Sequence, residues 1–118
     1  MWAERSRLST VLEIAIVIIP IAMKIDPYVI ETLMRDLTGH DHSPAAFVVY
    51  LFLYSRTIAV RAKALRISHR GIADETGLSK SAVQAALRLL SRRRLIRSVR
   101  ETVTATPEHF VLRPWVRR

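Results

Sequence analysis

The stretch "IADETGLSKSAV", residues 72–83, constrains the fold of this chain more than any other. Measured from Ala73, it places Gly77, Ser79 and Val83 at offsets of four, six and ten residues. Glycine tolerates the left-handed backbone that ends a helix, and serine caps the start of the next one. The small Ala73 and the β-branched Val83 let two helices cross closely. The stretch therefore predicts two helices joined by a tight turn, a helix-turn-helix.

Helix and strand signals on either side extend this pattern. Pro27 and Pro44 stand where proline favours the first position of a helix, and Ser43 and Ser68 stand where serine caps one. The spacing of apolar residues predicts how far each helix and strand extends. We expect helices at 27–39, 45–60, 69–76 and 80–93, and strands within 63–68, 95–101 and 109–115. The predicted fold class is mainly α with a small antiparallel β-sheet.

Residues 11–25, "VLEIAIVIIPIAMKI", form the most apolar run of the chain. Its uncharged part covers only residues 14–23, whereas a membrane-spanning helix needs roughly 20 apolar residues. A signal peptide is the rival interpretation, but Glu13 interrupts the run and no small-residue cleavage site follows it. We expect a buried strand or helix here and no membrane partner. Five of the six residues 14–19 are β-branched, which favours the extended form. An exported or membrane-attached protein is the alternative, which cell fractionation tests.

Charge is segregated along the sequence. Residues 1–43 hold four Lys/Arg against six Asp/Glu, a net of −2, and residues 44–118 hold fifteen against four, a net of +11. The formal net charge of +9 favours an anionic partner such as nucleic acid. The basic character belongs to the part that contains the helix-turn-helix. The chain has no cysteine, which excludes disulfides and thiolate metal sites.

The second helix of the pair has a one-sided distribution of polar residues. An apolar stripe at helical spacing predicts its buried face: Val83, Ala86, Leu87 and Leu90. The outward face then carries only neutral polar and cationic side chains: Lys80, Ser81, Gln84, Arg88 and Arg92. No carboxylate lies between residues 80 and 94, whereas a solvated helix face usually mixes both signs. This face therefore predicts contact with phosphates and base edges.

The stretch "GIADETGLSKSAVQAALRLLSRRRLI", residues 71–96, followed by a basic hairpin, resembles the winged helix-turn-helix domains of bacterial transcription regulators, broadly of the MarR and GntR kind. The resemblance covers roughly residues 44–115. It implies a three-helical core with a β-hairpin wing at 44–118. Residues 1–43 are not part of the resemblance, and we expect them to form an N-terminal extension that completes the core or mediates dimerisation. The resemblance also implies a transcription regulator that binds double-stranded DNA sequence-specifically, as a homodimer, in the cytoplasm at the nucleoid. No effector-binding domain is evident, so we expect no small-molecule ligand.

The resemblance and the basic face together predict which residues contact DNA. Gln84 suits adenine and Arg88 suits guanine, because these side chains match the hydrogen-bonding edges of those bases. Arg97 and Arg100, in the first strand of the wing, are expected near phosphates or a minor groove. The full predicted set is Ser79, Lys80, Ser81, Gln84, Arg88, Arg92, Arg93, Arg94, Arg97 and Arg100.

Other functions have weaker support in the sequence. Residues 40–42, His-Asp-His, lack the ligand spacing of a metal site, so we expect no metal. No catalytic triad order, phosphate-binding glycine loop or dinucleotide motif occurs, so we expect neither an enzyme nor a cofactor. Two alternatives share the fold: a replication-initiation protein, and a winged helix that binds only other proteins. Footprinting near an origin or a promoter separates the first from a transcription regulator, and the basic recognition face argues against the second.

Overall fold

The computed structural model describes residues 24–116, so the expectations for residues 1–23, including the extended segment, and for residues 117–118 lie outside this part of the chain. In the described part, helices pack against a small antiparallel sheet of three strands, in agreement with the predicted mixture of elements. No helix there has the length and apolar content needed to cross a bilayer.

The first helix, α1, covers residues 27–40 and contains two π-helical stretches, Val29–Leu33 and Asp36–His40. The Asp26 carboxylate accepts a hydrogen bond from the Tyr28 amide at 3.1 Å, which satisfies a donor at the start of the helix. The start predicted from the sequence is therefore confirmed. The helix continues one residue past Gly39, the predicted end, and the left-handed backbone lies instead at His42, with φ 52°.

The second helix, α2, covers Pro44–Arg56 and is the buried centre of the fold. Ser43 caps it, because its hydroxyl oxygen accepts a hydrogen bond from the Ala46 amide at 3.1 Å. Val49 and Leu53 are fully buried. The prediction of a capped central helix that begins here is confirmed.

The predicted continuation of α2 as far as residue 60 is wrong. The backbone of Thr57 leaves helical geometry, with φ −125° and ψ −82°, and a separate 3-10 turn covers Ile58–Val60. The buried Thr57 hydroxyl donates a hydrogen bond to the Leu53 carbonyl at 2.8 Å. A hydroxyl that bonds to the preceding turn competes with the backbone ladder, which explains why the helix stops at this threonine.

Two short-linked helices follow: α3, His69–Thr76, and α4, Lys80–Arg92. The Ser68 hydroxyl oxygen accepts from the Gly71 amide at 3.0 Å, and the Ser79 hydroxyl oxygen accepts from the Ala82 amide at 3.1 Å. Gly77 has φ 80°, the left-handed conformation that lets α3 end and the chain turn. Both predicted caps and the predicted turn are confirmed.

The sheet consists of β1, Leu65–Arg66, β2, Ile96–Val99, and β3, Glu108–Val111, in the order β1-β3-β2 with both pairs antiparallel. His109 in the central strand is paired with Leu65 on one side and Ser98 on the other, and Arg97 is paired with Phe110. Since alternate residues of a strand point to opposite faces, Ser98 and His109 share one face and Arg97 and Phe110 share the other.

The predicted last strand, 109–115, is too long, because the chain turns after Val111. Trp115 then lies against the start of α1. Its indole Nε1 donates a hydrogen bond to Asp26 Oδ2 at 2.8 Å, and its ring stacks on Tyr28 with centroids 4.5 Å apart. The end of the described chain is thereby attached to its beginning.

The core lies between α2, α4 and the sheet. Four residues of α4 form the inner stripe that the sequence predicts, and each is at most 6% exposed: Val83, Ala86, Leu87 and Leu90. Ile72 of α3 is fully buried beside them, and Ala73 and Leu78 pack partly buried against the same core. This packing fixes which face of α4 remains in contact with solvent.

Candidate nucleic-acid interface

The solvent-facing side of α4 carries cations and small polar groups. Lys80, Ser81, Arg88 and Arg92 are exposed, and Gln84 is half-buried. Ser79, which caps the helix, has its hydroxyl oxygen 3.2 Å from that of Ser81. Because α4 contains no aspartate or glutamate, no charge on the helix itself opposes its cations.

Two adjoining grooves separate this side of α4 from the β2–β3 hairpin. The first, the helix–hairpin groove, is lined by His69, Gln84, Leu87, Arg88, Ser91, Arg92, Ser98, Arg100 and Pro107. The second, the loop groove, is lined by Ser68, His69, Arg70, Lys80, Gln84, Arg100, Thr104, Ala105, Thr106 and Pro107. Four residues belong to both linings: His69, Gln84, Arg100 and Pro107. The two grooves therefore form one continuous cationic surface without a carboxylate in either lining.

Two carboxylates of the described chain pair with arginines that lie outside the grooves. Glu75 lies 3.5 Å from Arg56, which joins α3 to α2. Glu108 lies 3.7 Å from Arg66 across β3 and β1. Neither arginine lines the grooves, so these two ion pairs do not neutralise the cations of the grooves.

The arginines that follow α4 do not share one surface. Arg93 is hydrogen-bonded and ion-paired with Asp41, which directs it towards the loop between α1 and α2. Arg94 is exposed in the turn, with φ 57°. The Arg97 guanidinium lies 4.2 Å from the centre of the Phe110 ring, on the sheet face opposite Ser98. Of these four predicted residues, only Arg100 lines the grooves.

Sequence reasoning did not select several residues of the groove linings. His69 and Arg70 begin α3 directly after its cap, and Ser98, Thr104 and Thr106 belong to the hairpin. Ser68 indicated where α3 begins, but not that this end of the helix faces the hairpin loop. That proximity depends on how α3 packs, and no local signal in the sequence encodes it.

The two histidines near the grooves differ in their environments. His109 is fully buried, and its two ring nitrogens lie 2.7 Å from Ser98 Oγ and 3.1 Å from the Ile67 carbonyl oxygen. Burial lowers the pKa of His109 because it disfavours the charged imidazolium. Burial also lowers the pKa of His69, and the nearby charges of Arg100 and Lys80 lower it further.

The described residues contain no cluster of side chains that could bind a metal ion. His40 Nδ1 lies 2.9 Å from Asp41 Oδ1, and no group of three potential ligands occurs within residues 24–116. The pKa of Asp41 is lowered, first by the hydrogen bond with His40 and also by the charge of Arg93. This loop therefore forms an ion-pair cluster that connects α1 to the end of α4.

Comparison of the chain with models of protein families, with curated proteins and with solved structures gave no match. The side chains and charges of the described surface are accordingly the basis for assigning a function.

Proposed function

We propose that the chain is a winged helix-turn-helix protein that binds double-stranded DNA sequence-specifically and regulates transcription. In this proposal α4 is the recognition helix and the β2–β3 hairpin is the wing. The observation that carries it is the carboxylate-free cationic surface that runs from α4 across both grooves to Arg100. The order of elements from α2 to β3, with two helices joined through Gly77, supports the same proposal.

The dimensions of α4 suit the major groove of DNA. An α-helix with its side chains is about 10–12 Å wide, and the major groove is about 12 Å wide. Gln84 and Arg88 lie one turn apart on α4, so both side chains reach base edges when this helix enters the major groove of DNA. Lys80 at the start of the helix and Arg100 on the hairpin line the loop groove together, where a phosphate of the DNA backbone can be held.

The proposed protein acts as a homodimer in the cytoplasm, at the nucleoid. A two-fold dimer places two copies of α4 in successive major grooves and doubles the length of sequence that is recognised. Ile30 and Met34, one turn apart on α1, are 43% and 40% exposed. Exposed apolar side chains at helical spacing support a dimer contact within the extension at 1–43.

The test is selection of bound duplexes from a random pool, followed by binding titrations at two salt concentrations. The proposal expects an enriched sequence motif and an affinity that falls steeply with salt. Arg88→Ala should weaken binding to the enriched site. Arg35→Ala on α1 removes the same charge from an exposed helical position outside both grooves, and it should leave binding nearly unchanged.

Two results would contradict the proposal. Equal losses from Arg88→Ala and Arg35→Ala would mean that only net charge matters. Absence of duplex binding together with capture of a protein partner would favour the alternative of a protein-interaction domain.

A further inference from the structure

The loop groove brings cations from separate elements around one histidine. Lys80 enters it from α4, Arg100 from the chain after β2, and Arg70 from α3 next to His69 itself. His109 of β3 is a further titratable group close enough for its charge to be coupled to that of His69. The lining contains no carboxylate, and Ser68, Thr104 and Thr106 add hydroxyl groups. Cations and hydroxyl donors without an internal counter-charge are suited to an anion with several acceptor oxygens.

In the chain without a ligand, the groups around His69 disfavour the protonated form of its imidazole. Burial, Arg100 and Lys80 all hold the pKa of His69 below its usual range. A phosphate placed among these groups reverses the balance, because its negative charge stabilises the imidazolium and offsets the two neighbouring cations. An anion and a proton should therefore enter the groove together.

We infer that the loop groove binds a phosphate of the DNA backbone and that His69 holds this phosphate in its protonated form. The inference rests on the proposed function, since it names the part of DNA and the side chain that meet in this groove. The proton comes from solvent and forms an N–H bond on the imidazole, and no other bond changes. DNA affinity should consequently rise as the pH falls through the titration range of His69.

The experiment measures the affinity of the full chain for a labelled duplex at constant ionic strength. The pH runs from about 5.5 to about 8.5, on either side of the ordinary imidazole value. If phosphate binding raises the pKa of His69 by about one unit, the wild type should bind about tenfold more weakly at the alkaline end. His69→Gln removes the group that titrates in this range, and it should flatten the dependence to less than about twofold. His69→Lys, which keeps a positive charge at every pH tested, should bind tightly throughout.

A matched control and a proton count complete the design. His42→Asn removes an exposed histidine from the loop between α1 and α2, at a left-handed position that asparagine tolerates, and it should keep the wild-type pH dependence. Calorimetry in two buffers of different ionisation enthalpy counts the protons taken up on binding. The wild type should take up protons that His69→Gln does not, and circular dichroism should show that both remain folded across the range.

The possible failures are distinguishable. If His69→Gln binds DNA with the pH dependence of the wild type, this inference is overturned and the proposed function stands. If the wild type binds no duplex at any pH, the proposed function itself fails. If inorganic phosphate alone shifts the titration of His69, followed by nuclear magnetic resonance, as much as the duplex does, the groove is a site for free phosphate and its assignment to DNA is overturned.

Discussion

Gln84 lies where the two grooves meet, half-buried between the hairpin and the start of α3. Its amide offers both a donor and an acceptor, which suits the major-groove edge of adenine. Arg88, one turn further along, is exposed, and its planar guanidinium suits guanine. Partial burial limits the rotamers of Gln84, and a fixed side chain discriminates between bases better than a mobile one.

The first prediction at this scale concerns specificity. Gln84→Ala or Arg88→Ala should cost about 1–3 kcal/mol on the preferred site and much less on random DNA, because each removes a bidentate contact to a base. Titrations of each variant against the selected duplex and a scrambled one measure the difference. Equal losses on both duplexes would show that the two residues contact phosphates only.

A second prediction is that alanine substitutions of Arg100 and Arg97 affect DNA affinity to different extents. Arg100 lines both grooves, whereas Arg97 stacks on Phe110 at the opposite face of the sheet. Arg100→Ala should weaken binding to all duplexes alike and lower the salt slope by about one. Arg97→Ala should change affinity far less. A larger effect from Arg97→Ala would mean that the outer face of the sheet, rather than the grooves, meets DNA.

The protonation state of His109 should affect the stability of the fold. Its ring bridges β2, through Ser98, to the backbone of Ile67 just after β1. Its pKa is lowered from 6.5 by burial, so protonation favours the unfolded chain. The stabilising contribution of neutral His109 is full above the unfolded-state pKa of 6.5 and is lost as the pH falls through the lower folded-state value.

The free energy of unfolding should therefore decrease as the pH falls below 6.5. His109→Gln should flatten this decrease, although it also changes the absolute stability, so the slope is the quantity to compare. His69, whose pKa is also lowered, contributes in the same direction. Asp26 and Asp41 have pKa values lowered from 3.8, so their protonation changes the free energy of unfolding only at more acidic pH. Chemical denaturation at a series of pH values measures the slope, and an unchanged slope in His109→Gln would contradict this role.

At the scale of the elements, local signals predicted the helix starts well. Ser43, Ser68 and Ser79 each accept the backbone hydrogen bond that serine offers at a helix start, and Gly77 adopts the left-handed backbone that the turn requires. These features depend on residues within one turn of each other. The sequence therefore contained all the information needed to place them.

Features that depend on tertiary packing were not predictable in this way. Thr57 ends α2 in a buried environment, where its hydroxyl has the Leu53 carbonyl as its partner. Arg93 pairs with Asp41, which is 52 positions away in the chain. His69 lies against the hairpin because α3 packs on α4 and α2. Each depends on a contact between distant segments, for which the periodicity of one segment carries no signal.

A prediction at this scale tests the crossing of α3 and α4. Ala73 is half-buried against the core, next to the fully buried Ile72. Ala73→Leu should lower the free energy of unfolding by about 1–3 kcal/mol, because extra methyl groups force the packed helices apart. Ala85→Leu makes the same substitution at an exposed position of α4 and should change stability little. Equal thermal stability of both variants would show that Ala73 lies away from the crossing.

At the scale of the whole molecule, the fold brings positively charged residues that are far apart in the sequence onto one surface. Residues 44–118 carry a net charge of +11. Ion pairs of Glu75, Glu108 and Asp41 compensate arginines that lie outside the grooves. The cations that line the grooves from α4 and the hairpin, Lys80, Arg88, Arg92 and Arg100, face one continuous surface, as a polyanionic partner requires.

The measurement that most directly tests the DNA-binding account is the salt dependence of binding to a double-stranded duplex. If the surface neutralises about five phosphates, log K against log salt should fall with a slope of about −4 to −5. A double variant, Lys80→Ala with Arg100→Ala, should reduce the steepness by about two, whereas Arg35→Ala should leave it unchanged. A flat salt response of the wild type, or a slope that Arg35→Ala changes as much as either groove residue does, would contradict DNA binding by this surface.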